Sequence, residues 1–193
     1  MPHRFEDAER WAAVFDAPER DAWQKPELVV AGVVTRPDLV VADIGAGTGY
    51  FSLRFARALG AGRVVALDLE PTLLEHLAAR AGREGLGNVE TRVATPDDPG
   101  LATGSVDVVF VCDTYHHIAA RTAYFTKVAA ALAPGGRVVI VDFRVDSERG
   151  PPRELKVAPE VVVEELGRAG LELAARDESL PDQYFLTFAA RVP

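Results

Sequence analysis

Apolar residues follow two alternating rhythms along this chain from about residue 39 onward. Short, nearly continuous apolar runs at 39–44, Arg63–Asp68, Val89–Val93, Val106–Cys112 and 137–142 have the length and β-branched content of buried strands. Between them, apolar positions recur at helical spacing, predicting helices over 50–59, Pro71–Arg83 and 119–132. Leu73, Leu74, Leu77 and Ala78 make the expected inner face of the second of these helices. Gly60, the cluster Gly82, Gly85 and Gly87, and Ala133-Pro134-Gly135-Gly136 supply stop signals. Strand–helix alternation of this kind predicts a parallel sheet covered by helices on both faces.

The two ends of the chain depart from that rhythm. Phe5, Ala8, Trp11, Ala12 and Phe15 share one face of a predicted N-terminal helix, and a second short helix starts near Pro26, proline being well tolerated in a first turn. After residue 142, a Pro/Arg-rich stretch at 149–153 leads to a helix over 159–169 and strands over 171–176 and Gln183–Ala190. The turn at Leu180-Pro181-Asp182 is too short for a crossover, so the last two strands must form an antiparallel hairpin. Residues 1–38 therefore read as a helical extension and 39–193 as one doubly wound α/β domain.

Composition narrows the function classes. A chain of 193 residues can bury roughly 70% of its unfolded surface in one core. A net charge of −8 disfavours a nucleic-acid partner, which calls for a basic stripe, and suits a cationic cofactor. A single cysteine, Cys112, excludes an intrachain disulfide and an all-cysteine metal site. No apolar run is long enough to span a bilayer. The polar, acidic start Met1-Pro-His-Arg-Phe-Glu-Asp is unlike a signal peptide, making the cytoplasm the expected compartment.

The first strand ends in Asp43 and empties into Gly45-Ala46-Gly47-Thr48-Gly49. Glycines at alternate positions let the backbone turn tightly and approach a ligand that any Cβ would exclude. A dinucleotide loop wants G-x-G-x-x-G, and here Tyr50 stands where its last glycine would be. The pattern D-x-G-x-G-x-G instead resembles motif I of the class I S-adenosylmethionine-dependent methyltransferases. The C-terminal hairpin supports the same resemblance, since in that family the last strand inserts antiparallel to the others. The resemblance runs from about Leu39 to the C-terminus and implies strand order 3-2-1-4-5-7-6, with S-adenosylmethionine as cofactor.

Site residues follow at the ends of the strands, where doubly wound sheets place their crevice. The resemblance puts Asp43 and the loop (Gly45, Ala46, Gly47, Thr48, Gly49) against the methionine half of the cofactor; Asp43 is also explicable as an acid capping the loop. Asp68 is suited to accept hydrogen bonds from two ribose hydroxyls, the competing reading being a helix cap, a task nearer to Glu70. Leu69 is expected on an adenine face. An acid after the third strand receives the adenine amino group in the family. Here the choice lies between Asp97 and Asp98, with Asp97 favoured because Asp98 before Pro99 suits a turn.

The fourth strand leads into Asp113-Thr114-Tyr115-His116-His117. Asp113 is grouped with the cofactor site. Tyr115, His116 and His117 are candidate acid–base residues lining the crevice, His117 ahead of His116, because histidine has the pKa to take a proton from a nucleophile. A structural pair of histidines is the competing reading. A metal site from Asp113, His116 and His117 is disfavoured, since adjacent histidines on a helix point to different faces. Ahead of the first strand, Arg20, Trp23 and Gln24 suggest a lid over the cofactor, with Trp23 beside the sulfonium and Arg20 on the methionine carboxylate. Alternatively, Trp11 and Trp23 only pin helices to the sheet.

The expected activity is direct in-line methyl transfer to a small-molecule acceptor, since neither the extension nor the insertion after the fifth strand has room for a recognition domain. A protein or peptide methyltransferase and a non-catalytic S-adenosylmethionine-binding module are the alternatives. A homodimer is left open, and no metal, nucleic acid or membrane partner is expected.

Overall fold

Strand β1 (Val40–Ile44) of the computed structural model, which describes residues 8–191, starts the central sheet, and the strand order is β3-β2-β1-β4-β5-β7-β6. This is the order and the mixed parallel–antiparallel sheet of the class I methyltransferase fold. The chain divides into two compact units, Met1–Thr95 and Pro96–Pro193.

In the first unit, β1 pairs parallel with β2 (Arg63–Asp68), Asp43 opposite Ala66, and β2 pairs parallel with β3 (Val89–Val93), Asp68 opposite Val93. Both acids thus sit at or near the C-terminal ends of their strands. Helices α1 (Ala8–Phe15), α2 (Glu19–Gln24) and α3 (Pro26–Val33) precede the sheet. The α2–α3 joint is Lys25 at φ 46°, whose N–H bonds back to Asp21 O and lets α3 start at Pro26. Phe5, part of the expected first helical face, lies outside the described residues.

Helix α4 (Ser52–Ala58) begins two residues later than the periodicity predicts, because the loop glycines carry the chain through Gly49 at φ 92° before it can turn helical. Helix α5 (Pro71–Arg83) buries Leu73, Leu74, Leu77 and Ala81. Ala78, assigned to that face from sequence, is exposed, since the buried stripe continues from Leu77 to Ala81 at i+4.

In the second unit, β4 (Val106–Cys112) pairs parallel with β5 (Leu132–Phe143), which pairs antiparallel with β7 (Gln183–Ala190). β7 forms the expected antiparallel hairpin with β6 (Leu171–Asp177). Helix α6 is shorter than predicted (Arg121–Ala131), and β5 begins at Leu132 rather than after the glycine pair. Leu132 lies opposite Val106 and Arg137 opposite Val108, so the intervening residues bulge out of the ladder. Gly135 at φ 77° makes that bulge, and a Cβ on Gly136 would come 2.8 Å from Ala133 O. Helix α7 (Pro159–Arg168) packs on β6. Among the described residues, no helix is long and apolar enough to cross a membrane.

Candidate active site

The glycine loop is tied to the end of β2. Gly45, Gly47 and Gly49 all have positive φ, at 75°, 54° and 92°. Leu67 O accepts from the N–H groups of Gly45 and Ala46, at 2.8 and 3.0 Å. A Cβ on Gly49 would meet Leu77 Cγ at 2.8 Å, so the last glycine is demanded by packing as well as by φ.

Asp68 organises this region. Its Oδ2 accepts from Gly47 N–H at 2.8 Å, and its Oδ1 from Glu70 N–H at 3.0 Å, ahead of α5. Glu70 occupies the N-cap position without a side-chain cap, and Asp68 holds the main-chain N–H of that residue. Burial raises the Asp68 pKa, and the N–H groups of Glu70, Gly47 and Leu69 only partly offset it. Each carboxylate oxygen has two lone pairs, which leaves acceptor capacity for ligand hydroxyls. Leu69, next in sequence, is 49% exposed, unusual for a leucine beside so buried a strand.

Asp43 is buried at 3% exposure and accepts from Ser52 Oγ at 2.5 Å. Burial, opposed by the Ser52 hydroxyl, pushes its pKa up to about 7. The acid therefore braces the start of α4 from beneath the loop.

The N-terminal helices are anchored to the same loop. Asp16 Oδ2 accepts from Thr48 Oγ1 at 3.0 Å and from Arg80 Nη1 at 2.6 Å, and Arg80 Nη1 also donates to Thr48 O at 3.0 Å. The Phe15 ring lies over Gly47, 3.7 Å from where a Cβ would stand. Tyr50 is buried, donates to Asp21 Oδ1 at 2.5 Å, and has the Arg20 and Arg54 guanidinium groups 3.9 and 4.0 Å from its ring centroid. The residue that breaks the dinucleotide pattern thus ties α2 to the loop. Arg20 donates to Gln24 Oε1 at 3.0 Å and to Phe15 O at 2.8 Å, and its guanidinium lies 6.0 Å from the Trp23 ring.

In the second unit, Asp98 accepts from Gly100 N–H at 2.8 Å and from Lys127 Nζ at 3.0 Å, the turn role its position suggested. The Gly100 N–H and then Lys127 hold its carboxyl below the usual range. Asp97 is exposed, and its carbonyl accepts from Lys127 at 2.9 Å. Asp113 leaves β4 at φ 53°, a strained conformation for a residue with a Cβ. Its carboxylate accepts from the buried Gln183 side chain.

The Tyr115–His117 turn separates its three side chains. Tyr115, expected to line the crevice, is fully buried and donates to Glu165 Oε2 at 2.6 Å; burial pushes its pKa up, away from any acid–base use. Glu165 is also gripped by Arg121 through two bonds, at 2.7 and 3.0 Å. Burial pushes Glu165 up, but these partners outweigh it and hold its carboxyl below the usual range. The pair ties α7 to the turn.

His116 meets Asp142 at the end of β5, Nδ1 lying 2.9 and 3.0 Å from the two carboxylate oxygens, with side-chain exposures of 5% and 3%. Asp142 also accepts from the N–H groups of Phe143 and His116, at 2.8 and 3.3 Å. A carboxylate only accepts, so this contact assigns a proton to Nδ1, and in the neutral imidazole the lone pair then lies on Nε2. His117 is exposed, its ring 4.2 Å from that of His116. Sequence reasoning missed Asp142, Glu165, Arg121, Asp16 and Arg80. Only Asp142 carried a signal, being an acid at or next to the end of an apolar strand, as Asp43 and Asp68 are.

Sheet order and the acid–glycine loop are those of the class I methyltransferase fold, and a second acid, Asp68, ends the neighbouring strand. A family model described as "Methyltransferase domain" matches residues 41–136. Ribosomal protein L11 methyltransferase of Pelotomaculum thermopropionicum is 33% identical over 74% of this chain and 41% of its own length. Nocamycin O-methyltransferase of Saccharothrix syringae is 29% identical over 67% of this chain and 47% of its own. The match thus spans less than half of either relative. A SAM-dependent methyltransferase from Aquifex aeolicus has the same fold, with a TM-score of 0.87 at 22% identity, over 94% of this chain and 97% of that one. The chain belongs to the class I S-adenosylmethionine-dependent methyltransferases.

The residues present fit that cofactor. A cradle of positive-φ glycines offers close backbone approach, Asp68 offers carboxylate lone pairs at a strand end, and Leu69 offers an exposed apolar face beside them.

Proposed function

We propose that the protein catalyses S-adenosylmethionine-dependent methyl transfer to a protonated nucleophile on a small molecule, with His116 as general base. The carrying observation is the His116–Asp142 contact at 2.9 Å. Asp142 fixes the ring and its tautomer, leaves Nε2 basic, and stabilises the imidazolium that forms when the proton arrives. An orienting carboxylate behind a histidine base works this way in other enzymes. His117, favoured by sequence, is exposed, with its ring 4.2 Å from that of His116, and is assigned no proton transfer. Tyr115 acts through Glu165 and Arg121 as a brace for the turn that carries His116.

Bound S-adenosylmethionine supplies a methyl group on a positive sulfur that leaves as a neutral thioether, without needing protonation. The remaining roles belong to the chain. Asp68 receives the ribose hydroxyls, Leu69 the adenine face and Asp97 the adenine amino group. The loop 45–49, braced by Asp43, takes the methionine half, and Asp113 shapes the end of β4. Residues 1–38 serve as a cover for the loop, a reading supported by Phe15 over Gly47 and by the Asp16–Arg80–Thr48 cluster. Arg20, Trp23 and Gln24 complete that cover, and residues 39–193 form the catalytic domain. Holding the nucleophile in line is the main catalytic gain, worth roughly 7–11 kcal/mol in favourable cases.

Nocamycin O-methyltransferase among the relatives supports a small-molecule acceptor, whereas ribosomal protein L11 methyltransferase supports a protein one. Calorimetric titration with S-adenosylmethionine and S-adenosylhomocysteine, with NAD as control, tests the cofactor. Radiolabelled methyl transfer to small-molecule and peptide pools then tests the acceptor. Binding of NAD alone would overturn the reading, and label appearing only in peptides would move the acceptor to the protein class.

A further inference from the structure

An open cavity of about 500 Å³ in the second unit has His116 among its lining residues. Val145, Leu155, Val157 and Val161 form the aliphatic part of its wall, with Leu155 54% and Val161 40% exposed. A volume of that order suits a small ligand, and exposed aliphatic walls gain by being covered with apolar surface. The charged groups lining it are Arg121, Glu154 and Lys156. Arg121 is occupied by its two bonds to Glu165, which neutralise it. Lys156 Nζ uses one donor on Ser147 O at 2.5 Å, leaving two of an ammonium's three donors.

We propose that this cavity binds the methyl acceptor, and that the acceptor is an aromatic hydroxy compound bearing a carboxylate or carbonyl oxygen. The inference rests on His116 being the base. The aliphatic walls take the ring, Lys156 takes the carboxylate or carbonyl oxygen, and the hydroxyl donates to His116 Nε2. A phenolic hydroxyl, with a pKa near that of tyrosine at about 10, can yield its proton to an imidazole far more readily than an aliphatic alcohol. The step balances. An oxygen electron pair forms the new O–C bond, the hydroxyl proton passes to Nε2, and the pair from the broken C–S bond neutralises the sulfonium. The Asp142 carboxylate balances the charge of the resulting imidazolium.

Calorimetry on the whole protein tests this without turnover, using 1-hydroxy-2-naphthoate, 6-hydroxy-2-naphthoate and 2-naphthol as probes. At least one hydroxynaphthoate should bind roughly tenfold more tightly than 2-naphthol, the scale of a charge-assisted hydrogen bond. Lys156→Ala should abolish that advantage and leave 2-naphthol affinity unchanged, whereas Val161→Asp should weaken all three probes. Unchanged S-adenosylhomocysteine affinity in both variants shows that they are folded. The proposal is overturned if neither hydroxynaphthoate outbinds 2-naphthol, or if Lys156→Ala leaves the advantage intact. A wild-type protein that binds S-adenosylhomocysteine but no naphthyl probe sinks only the acceptor class. One that does not bind S-adenosylhomocysteine sinks the methyltransferase reading itself.

Discussion

Asp68 in the first unit and Asp142 in the second both lie at the end of an apolar strand, yet their carboxylates hold different things. Asp68 takes main-chain N–H groups, those of Gly47 and Glu70, and so shapes a loop. Asp142 takes, besides the N–H groups of Phe143 and His116, a side chain, the imidazole of His116, and so fixes the orientation of that ring. The first unit makes its site from backbone conformation, with glycines at positive φ and acids that brace them. The second makes its site from side-chain pairs, His116 with Asp142 and Arg121 with Glu165, whose members lie 26 and 44 residues apart. Backbone sites are suited to a constant cofactor, because any chain that turns correctly presents the same N–H groups. Side-chain sites are suited to an acceptor that varies from one relative to another.

The contrast predicts that substitutions in the His116–Asp142 pair change turnover and those in the first unit change affinity or stability. The largest effect is expected for His116→Ala, which should lower kcat about 10²–10⁴-fold, the usual worth of a positioned base. Its cofactor affinity should be unchanged in calorimetry, and His117→Ala should leave kcat as it is. A reversal between the two histidines would break the assignment.

Next comes Asp43→Asn, read by denaturant unfolding across pH. The Asp43 pKa is raised from 3.8 to about 7 in the folded protein. The folded state therefore holds a proton that the unfolded state has released, and stability falls as pH rises through that window. The variant should lack this fall, gaining at most about 4 kcal/mol relative to wild type above pH 7. Identical pH dependence in the two proteins would place the buried charge elsewhere.

Asp68→Ala should weaken S-adenosylmethionine binding by about 1.5–3 kcal/mol, the range for losing charged hydrogen bonds. Part of that loss reflects the freed Gly47 N–H, so Asp68→Asn, which keeps an acceptor, should lose less. Smallest is Tyr115→Phe, expected to cost about 1–2 kcal/mol of stability through the lost bond to Glu165 while kcat is retained. A collapse of kcat in a stable Tyr115→Phe protein would make the tyrosine more than a brace.

Legibility in the sequence follows the same division. The loop 45–49, Asp43 and Asp68 could be read because their signals are local, being a glycine spacing and acids at the ends of apolar runs. The Tyr115-His116-His117 cluster was visible as chemistry, but its distribution was not. Sequence ranked His117 first and grouped Tyr115 with the crevice, and only packing buries Tyr115 against Glu165, turns His116 to Asp142 and leaves His117 exposed. Tyr50 is a middle case. Its departure from the dinucleotide pattern was plain, while its work between Arg20 and Arg54 was not.

By itself the sequence determined the strand–helix alternation, the antiparallel ending and the glycine loop, because hydrophobic period, turn length and glycine conformation act over a few residues. Tertiary structure decided where each ladder irregularity falls, that His116 meets the Asp142 carboxylate, and how Asp16 and Arg80 meet at Thr48. Those outcomes depend on contacts between residues far apart in the chain, and no local preference encodes them.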